Sequence, residues 1–164
     1  MVRLHDSATE YQDAERIAAV LAGVRNPETA DAFIQALARR ENLLGEPLTA
    51  TILEVLSKLP TPPAAVTVLQ KLDQAQPGQD LTQIVRTISS IETPEAREPL
   101  ENAAQGKKEI GRNITRAAAT LALRHYPGPR TQTLLEQLSQ DPDRLVGLAA
   151  GEALASLKRA RSLH

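Results

Sequence analysis

Apolar residues recur along this chain at intervals of three and four, and prolines and glycines cut the runs they form. Ser7 with Glu10 three residues later reads as a capping box opening a helix with Ala14, Ile17, Ala18, Leu21 and Val24 on one face. Pro27 starts a second helix behind the cap residue Asn26, with Ala30, Phe33, Ile34 and Leu37 inward, and Gly45 lies in the break that follows. A third helix carries Ile52, Val55, Leu56 and Leu59 and ends at the prolines of 60–63; a fourth carries Ala65, Val68, Leu69 and Leu72 and ends near Gln76, Pro77 and Gly78. Ile84, Val85, Ile88 and Ile91 mark a fifth. Thr93 is placed to cap a sixth at Pro94, and Gly106 to stop it. Ile114, Ala118, Leu121 and Ala122 mark a seventh helix, an eighth follows Pro129, and Asp141 or Asp143 opens a ninth with Leu145, Leu148, Leu154 and Leu157 as its apolar residues. Pro99 falls inside the sixth run, so that helix is either kinked or starts late.

Overlaying the runs exposes a repeat. Two apolar residues three apart, followed by a proline three further on, occur as Leu21, Val24, Pro27; Leu56, Leu59, Pro62; Ile88, Ile91, Pro94; and Leu123, Tyr126, Pro129, at offsets of 35, 32 and 35. Leu154 and Leu157 begin a fifth copy at an offset of 31. The segments FIQAL, VLQKL, PLENA and LLEQL occupy matching places in the even-numbered helices and carry Gln35, Gln70, Glu101 and Glu136 at one shared position. Units of this length with two helices each predict an α-solenoid, because no unit buries its apolar face alone and stacking creates a common core. The expectation is one all-α domain over 1–164, a right-handed superhelix of hairpins at 7–42, 46–76, 79–106 and 107–140 with a partial unit at 141–161.

Composition narrows the chemistry. Only 2% of residues are aromatic and none is cysteine, so the core is aliphatic and thiol chemistry, disulfides and cysteine-ligated metals are excluded. The net charge of -1 conceals a polarity: residues 1–106 hold nine lysines and arginines against fifteen acids, and residues 107–164 hold ten against five. No secretory or membrane-spanning pattern is present, and a cytoplasmic location is expected.

The segment 141–157, DPDRLVGLAAGEALASL, with its Asp-Pro turn, paired alanines and late Ala-Leu, resembles the first helix of a HEAT-like repeat, and TPEAREPLENA at 93–103 is similar to the second, including the internal proline. Gly147 stands where an arginine is usual in that pattern, and the first three units lack the paired alanines. The resemblance implies that the second helices line a concave surface. It also leaves open a relationship to HEAT-like bilin lyases or cofactor chaperones.

Candidate chemistry is sparse. His5, His125 and His164 are far apart, no nucleophile elbow or phosphate-binding loop occurs, and neither a catalytic set, a metal site nor a cofactor is expected. With the apolar side of the second helices turned inward, the 100° step turns Gln35 and Arg39, Gln70 and Gln74, Glu98, Glu101 and Gln105, and Glu136 and Gln140 outward. This row predicts a groove for a basic or extended polypeptide, centred on Glu98, Glu101 and Gln105, and equally satisfies the plain need of any helix for a polar outside. A second candidate is a basic stripe. Lys107 and Lys108 precede the seventh helix, and Arg112, Arg116, Thr120 and Arg124 fall every four residues along it. Phosphate contact, and with it nucleic-acid binding through the basic C-terminal half, is its functional reading, and internal pairing or a solvated face its bland one. Gly147, Gly151 and Ala155 form a small-residue column on the ninth helix, which predicts close packing on the seventh helix or self-association with a second chain.

Overall fold

The computed structural model describes residues 56–58, 62–75, 81–108 and 110–163. The first two predicted helices, most of the third, Gln35, Arg39 and the break at 76–78 lie outside them. Six α-helices and two short 3₁₀ turns follow in order: α1 Pro62–Asp73, α2 Thr82–Ser89, η1 Pro94–Ala96, α3 Arg97–Ala104, α4 Asn113–Ala122, η2 Leu123–His125, α5 Pro129–Leu138 and α6 Arg144–Ser162. They correspond to the fourth through ninth predicted runs. No strand occurs among the described residues.

The predicted inward register holds in all three described second helices. Ala65, Val68, Leu69 and Leu72 on α1 are buried; Ala96, Pro99, Leu100 and Ala103 are buried on η1 and α3; and on α5 Thr131, Leu135 and Leu138 are buried with Leu134 partly so. The repeat positions Ile88, Ile91, Leu123, Tyr126 and Leu157 are buried as well. Each turn of side chains at spacing three and four therefore feeds one aliphatic core, and removing such area from water is worth roughly 25 cal/mol per Å².

Local punctuation follows the residues. Pro99 is the third residue of α3, because the chain first makes the 3₁₀ turn at Pro94–Ala96 and the α-helix starts late. In the first turn the missing N–H removes a donor that no intrahelical carbonyl would accept, so the interior penalty does not arise. Thr93 stands before that turn but makes no capping bond with its side chain. Gly106 ends α3 at φ +70°, donating to the Ala103 carbonyl (3.0 Å), while Lys107 N–H reaches the Asn102 carbonyl (2.9 Å). That pair of bonds closes a Schellman turn. Gly128 at φ 147° precedes Pro129, the first residue of α5. Asp143 caps α6 by accepting from the N–H groups of Leu145 and Val146.

The most extensive helix contact is between α4 and α6. Of the leucines predicted to face inward from the last helix, Leu157 is buried and Leu154 packs against the core, but Leu145 and Leu148 do neither. Val146, Ala150, Ala153 and Leu157 are buried there, whereas Leu145 and Leu148 are 54% and 61% exposed. Alanines decide this: Ala118, Ala119 and Ala122 of α4 are all buried, and small side chains on both helices let the backbones approach. The small-residue column accordingly does not pack on α4. A Cβ built on Gly151 meets nothing within 4 Å, and one on Gly147 meets the Ser139 carbonyl at 3.5 Å, so Gly147 serves the turn before α6.

Candidate functional site

Two of the three second helices, α1 and α3, pack side by side and leave a cleft of about 740 Å³ between them. Its apolar lining is Pro62, Val66, Leu69, Pro99, Ala103 and Ile110, and its polar lining is Gln70, Glu98, Asn102, Lys107 and Lys108. Helix periodicity explains the mixture. Residues facing the neighbouring helix are apolar, and one turn of rotation away the chain places amides and charges. Gln70 and Glu98 are exposed, as expected for the outward row, and both line this cleft.

The remainder of the row is dispersed. Gln74 is exposed at the end of α1. Gln105 is exposed but folds its amide back onto the Glu101 carbonyl (3.1 Å), and Glu136 accepts from Gln132 one turn earlier (2.9 Å). Gln140 is exposed after α5, with its amide 3.4 Å from the Ser139 hydroxyl. Among the described members of the expected row, only Gln70 and Glu98 line this cleft.

Glu101 requires a correction. It is 3% exposed, and its carboxylate is gripped by Arg97 (3.0 Å) and by Arg130. Arg97 also donates to Thr131, which is fully buried (3.1 Å). Arg130 and Thr131, at the start of α5, reach this side of α3 through their side chains. Glu101, expected at the acidic centre of the groove, is instead a structural link between α3 and the start of α5, and its carboxylate is not presented to solvent. The pair Arg97 and Glu101 at i, i+4 was visible in the sequence, but Arg130 lies 29 residues away and no periodicity joins it to them.

The basic stripe is likewise drawn inward. Arg112 caps the C-terminal end of α1, donating to the carbonyls of Leu72 (3.3 Å) and Ala75 (2.8 Å). In return Asp73 accepts from the backbone N–H groups of Gly111 (3.3 Å) and Arg112 (2.9 Å) at the start of α4. Each helix end receives the charge its dipole favours. Arg116 repeats the device one turn later, reaching the Ala104 carbonyl at the end of α3 (3.2 Å) and the carboxylate of Asp141 (2.5 Å). Hydrogen bonds from Arg116 hold the Asp141 carboxyl below its ordinary value of 3.8, against the opposing pull of desolvation. Thr120 is buried and bonds to the Arg116 carbonyl (2.8 Å). Arg124 Nε lies 3.4 Å from His125 Nε2, and that nitrogen is 3.1 Å from the Ser89 carbonyl. Internal pairing accounts for Arg112 and Arg116. Lys107 and Lys108 are exposed, and neither ammonium enters an ion pair among the described residues.

Tyr126 joins successive units in the same way, donating its hydroxyl proton to the Thr93 carbonyl (2.8 Å). Burial, helped by Glu92 and Glu95, pushes its phenol well above the ordinary value of 10. Among the described residues no cluster of three or more histidines and acids is positioned to hold a metal ion, and no helix is long and apolar enough to cross a membrane.

No family model, no curated protein and no solved structure matches the chain.

Proposed function

We propose that this chain is a non-catalytic interaction module, an α-solenoid of HEAT-like hairpins that docks a segment of a partner protein on its second-helix face. The carrying observation is the cleft between α1 and α3, where an apolar floor is reachable from solvent beside exposed polar groups. Val66, 38% exposed, is the accessible part of that floor. Contacts of α2 with α4 and of α4 with α6, beside those of α1 with α3, are the order that stacked hairpins would give. The non-catalytic reading is supported by the occupations of the polar groups. Asp73 and Asp143 cap helices, Glu101 and Asp141 bind arginines, and His125 sits against a backbone carbonyl. Nucleic-acid binding is less favoured because Arg112 and Arg116 are committed to carbonyls and to Asp141.

A photo-crosslinking residue tests the assignment. Benzoylphenylalanine at Val66 or Glu98 is expected to trap a partner polypeptide that the same group at Arg159 on α6 does not. Trapping only from Arg159, or partner capture unaffected by Val66→Asp with the helical spectrum intact, would remove the cleft from consideration.

A further inference from the structure

We infer that the occupant of the α1–α3 cleft is a partner segment carrying a bulky aliphatic or aromatic side chain next to a carboxylate. The inference rests on the cleft being the docking site and reverses the charge expected from the sequence. A groove centred on Glu98 and Glu101 would select a basic partner; with Glu101 buried against Arg97 and Arg130, the charged groups lining the cleft among the described residues are Glu98 and two lysines.

The lysines are held in place by the backbone. The Schellman turn at Gly106 fixes how the chain leaves α3, and the buried Ile110, whose N–H lies 3.4 Å from the Lys107 carbonyl, anchors the far end of the segment. Lys108 itself adopts φ 58°, in the left-handed region where glycine or asparagine is comfortable and a lysine is uncommon. Backbone geometry therefore does not explain a lysine there. Lys107 follows the C-terminal turn of α3, where a cation is favoured, but the Ala104 carbonyl at that end is already met by Arg116, and Lys108 precedes α4, whose N-terminus Asp73 already meets. A carboxylate brought by a partner would supply a counter-charge that neither ammonium has among the described residues.

The remaining lining chooses the rest of the ligand. Val66, Leu69, Pro99 and Ala103 form an apolar floor, and the cleft lies within the roughly 300–1,000 Å³ usual for ligand pockets, so it admits a large side chain. The side-chain amides of Gln70 and Asn102 both donate and accept, which suits the N–H and C=O groups of a peptide backbone better than an acyl chain.

Fluorescence anisotropy with short fluorescein-labelled peptides provides the test. One extended peptide carries leucine with a glutamate two residues away, a second has glutamine for glutamate, and a third has lysine. The unmodified protein is expected to bind the glutamate peptide about tenfold more tightly than the lysine peptide at low salt. That ratio should collapse in the double variant Lys107→Gln with Lys108→Asn, in which asparagine retains the left-handed backbone. Val66→Asp should abolish binding of the glutamate and glutamine peptides alike. Equal affinity for all three peptides, lost in Val66→Asp, would sink the charge assignment while leaving the docking site. A preference for the lysine peptide would do the same. Peptide binding indifferent to Val66→Asp would sink both. Absence of any peptide binding, or binding of laurate alone, would overturn the inference.

Discussion

Replacing Glu101 with lysine is expected to cripple the fold, whereas the same replacement at Glu98, three residues earlier on the same helix, is expected to leave it intact. The two acids look alike in the sequence, and the structure separates them. Glu101 is 3% exposed and holds Arg97 and Arg130, while Glu98 is exposed. Removing one partner of a fully buried pair costs about 3–5 kcal/mol because the other charge stays stranded. Here the stranded charges differ: the Arg130 side chain is 71% exposed and turns to water, but that of Arg97 is 35% exposed and still faces Thr131. Glu101→Gln keeps the shape and one acceptor, so its cost is set at about 2 kcal/mol. Glu101→Lys adds a third cation to the same space and should cost about 4 kcal/mol or more. Arg130→Ala, acting from the exposed side, should cost less than about 1 kcal/mol. At this chain length 1 kcal/mol moves Tm by about 2–4 °C, so Glu101→Gln should melt roughly 4–8 °C lower. Urea titration followed by far-UV circular dichroism at neutral pH reads all four variants. If Glu101→Lys unfolds at the same urea concentration as Glu98→Lys, Glu101 does not bind α3 to α5 as described.

Two further outcomes concern the joints between helices. Because hydrogen bonds from Arg116 lower the folded-state pKa of Asp141, the stabilisation from this pair is complete above the unfolded value of 3.8 and is lost as pH falls below it through the folded value; Asp141→Asn should therefore flatten that part of the acid denaturation curve, measured by urea midpoints across the acid range. Thr115 is fully buried on α4 with its hydroxyl unpaired among the described residues, so Thr115→Val should raise stability by about 1 kcal/mol, and a loss instead would mean the hydroxyl is bonded.

What could be read from the sequence was whatever depends on a residue's own helix. Ala65, Val68, Leu69 and Leu72 repeat a period of 3.6, and that period alone fixes which side of α1 is buried. Gly106 after Ala103 and Ala104 marked the end of α3 because few other residues adopt its backbone angle, and Pro99 forced a late start. What could not be read depends on the next unit. A helical wheel turns Glu101 outward, but Arg130 at the start of α5 reaches it from 29 residues away, a placement no periodicity predicts. The first half of the last helix departed from expectation for a related reason, while Leu154 and Leu157 further on met it. Leu145 and Leu148 carry more apolar area than Ala150 and Ala153, yet α4 presents alanines, and close approach of two helices is available only through small residues. Of the candidate site, Gln70 and Glu98 were anticipated, while the lysines were assigned to a different surface.

The division between arginine and lysine in the segment from Arg97 to Arg116 connects fold to function. Arg112 and Arg116 each donate to two groups, carbonyls or a carboxylate, in other parts of the chain, and Arg97 binds Glu101 on its own helix and the Thr131 hydroxyl on another. A planar fork with several fixed donors suits such bridging, since it satisfies more than one acceptor without reorganising. Lys107 and Lys108, between them in sequence, bridge nothing among the described residues and line the cleft. A compact ammonium on a flexible stem is poorly suited to clamping helix ends and well suited to meeting a charge that arrives from outside. On this argument an exchange of the two types would act asymmetrically. Arg116→Lys would lose the simultaneous reach to Ala104 and Asp141 and loosen the packing of α3, α4 and α6, whereas Lys107→Arg would leave the fold as it is and alter only what the cleft can hold.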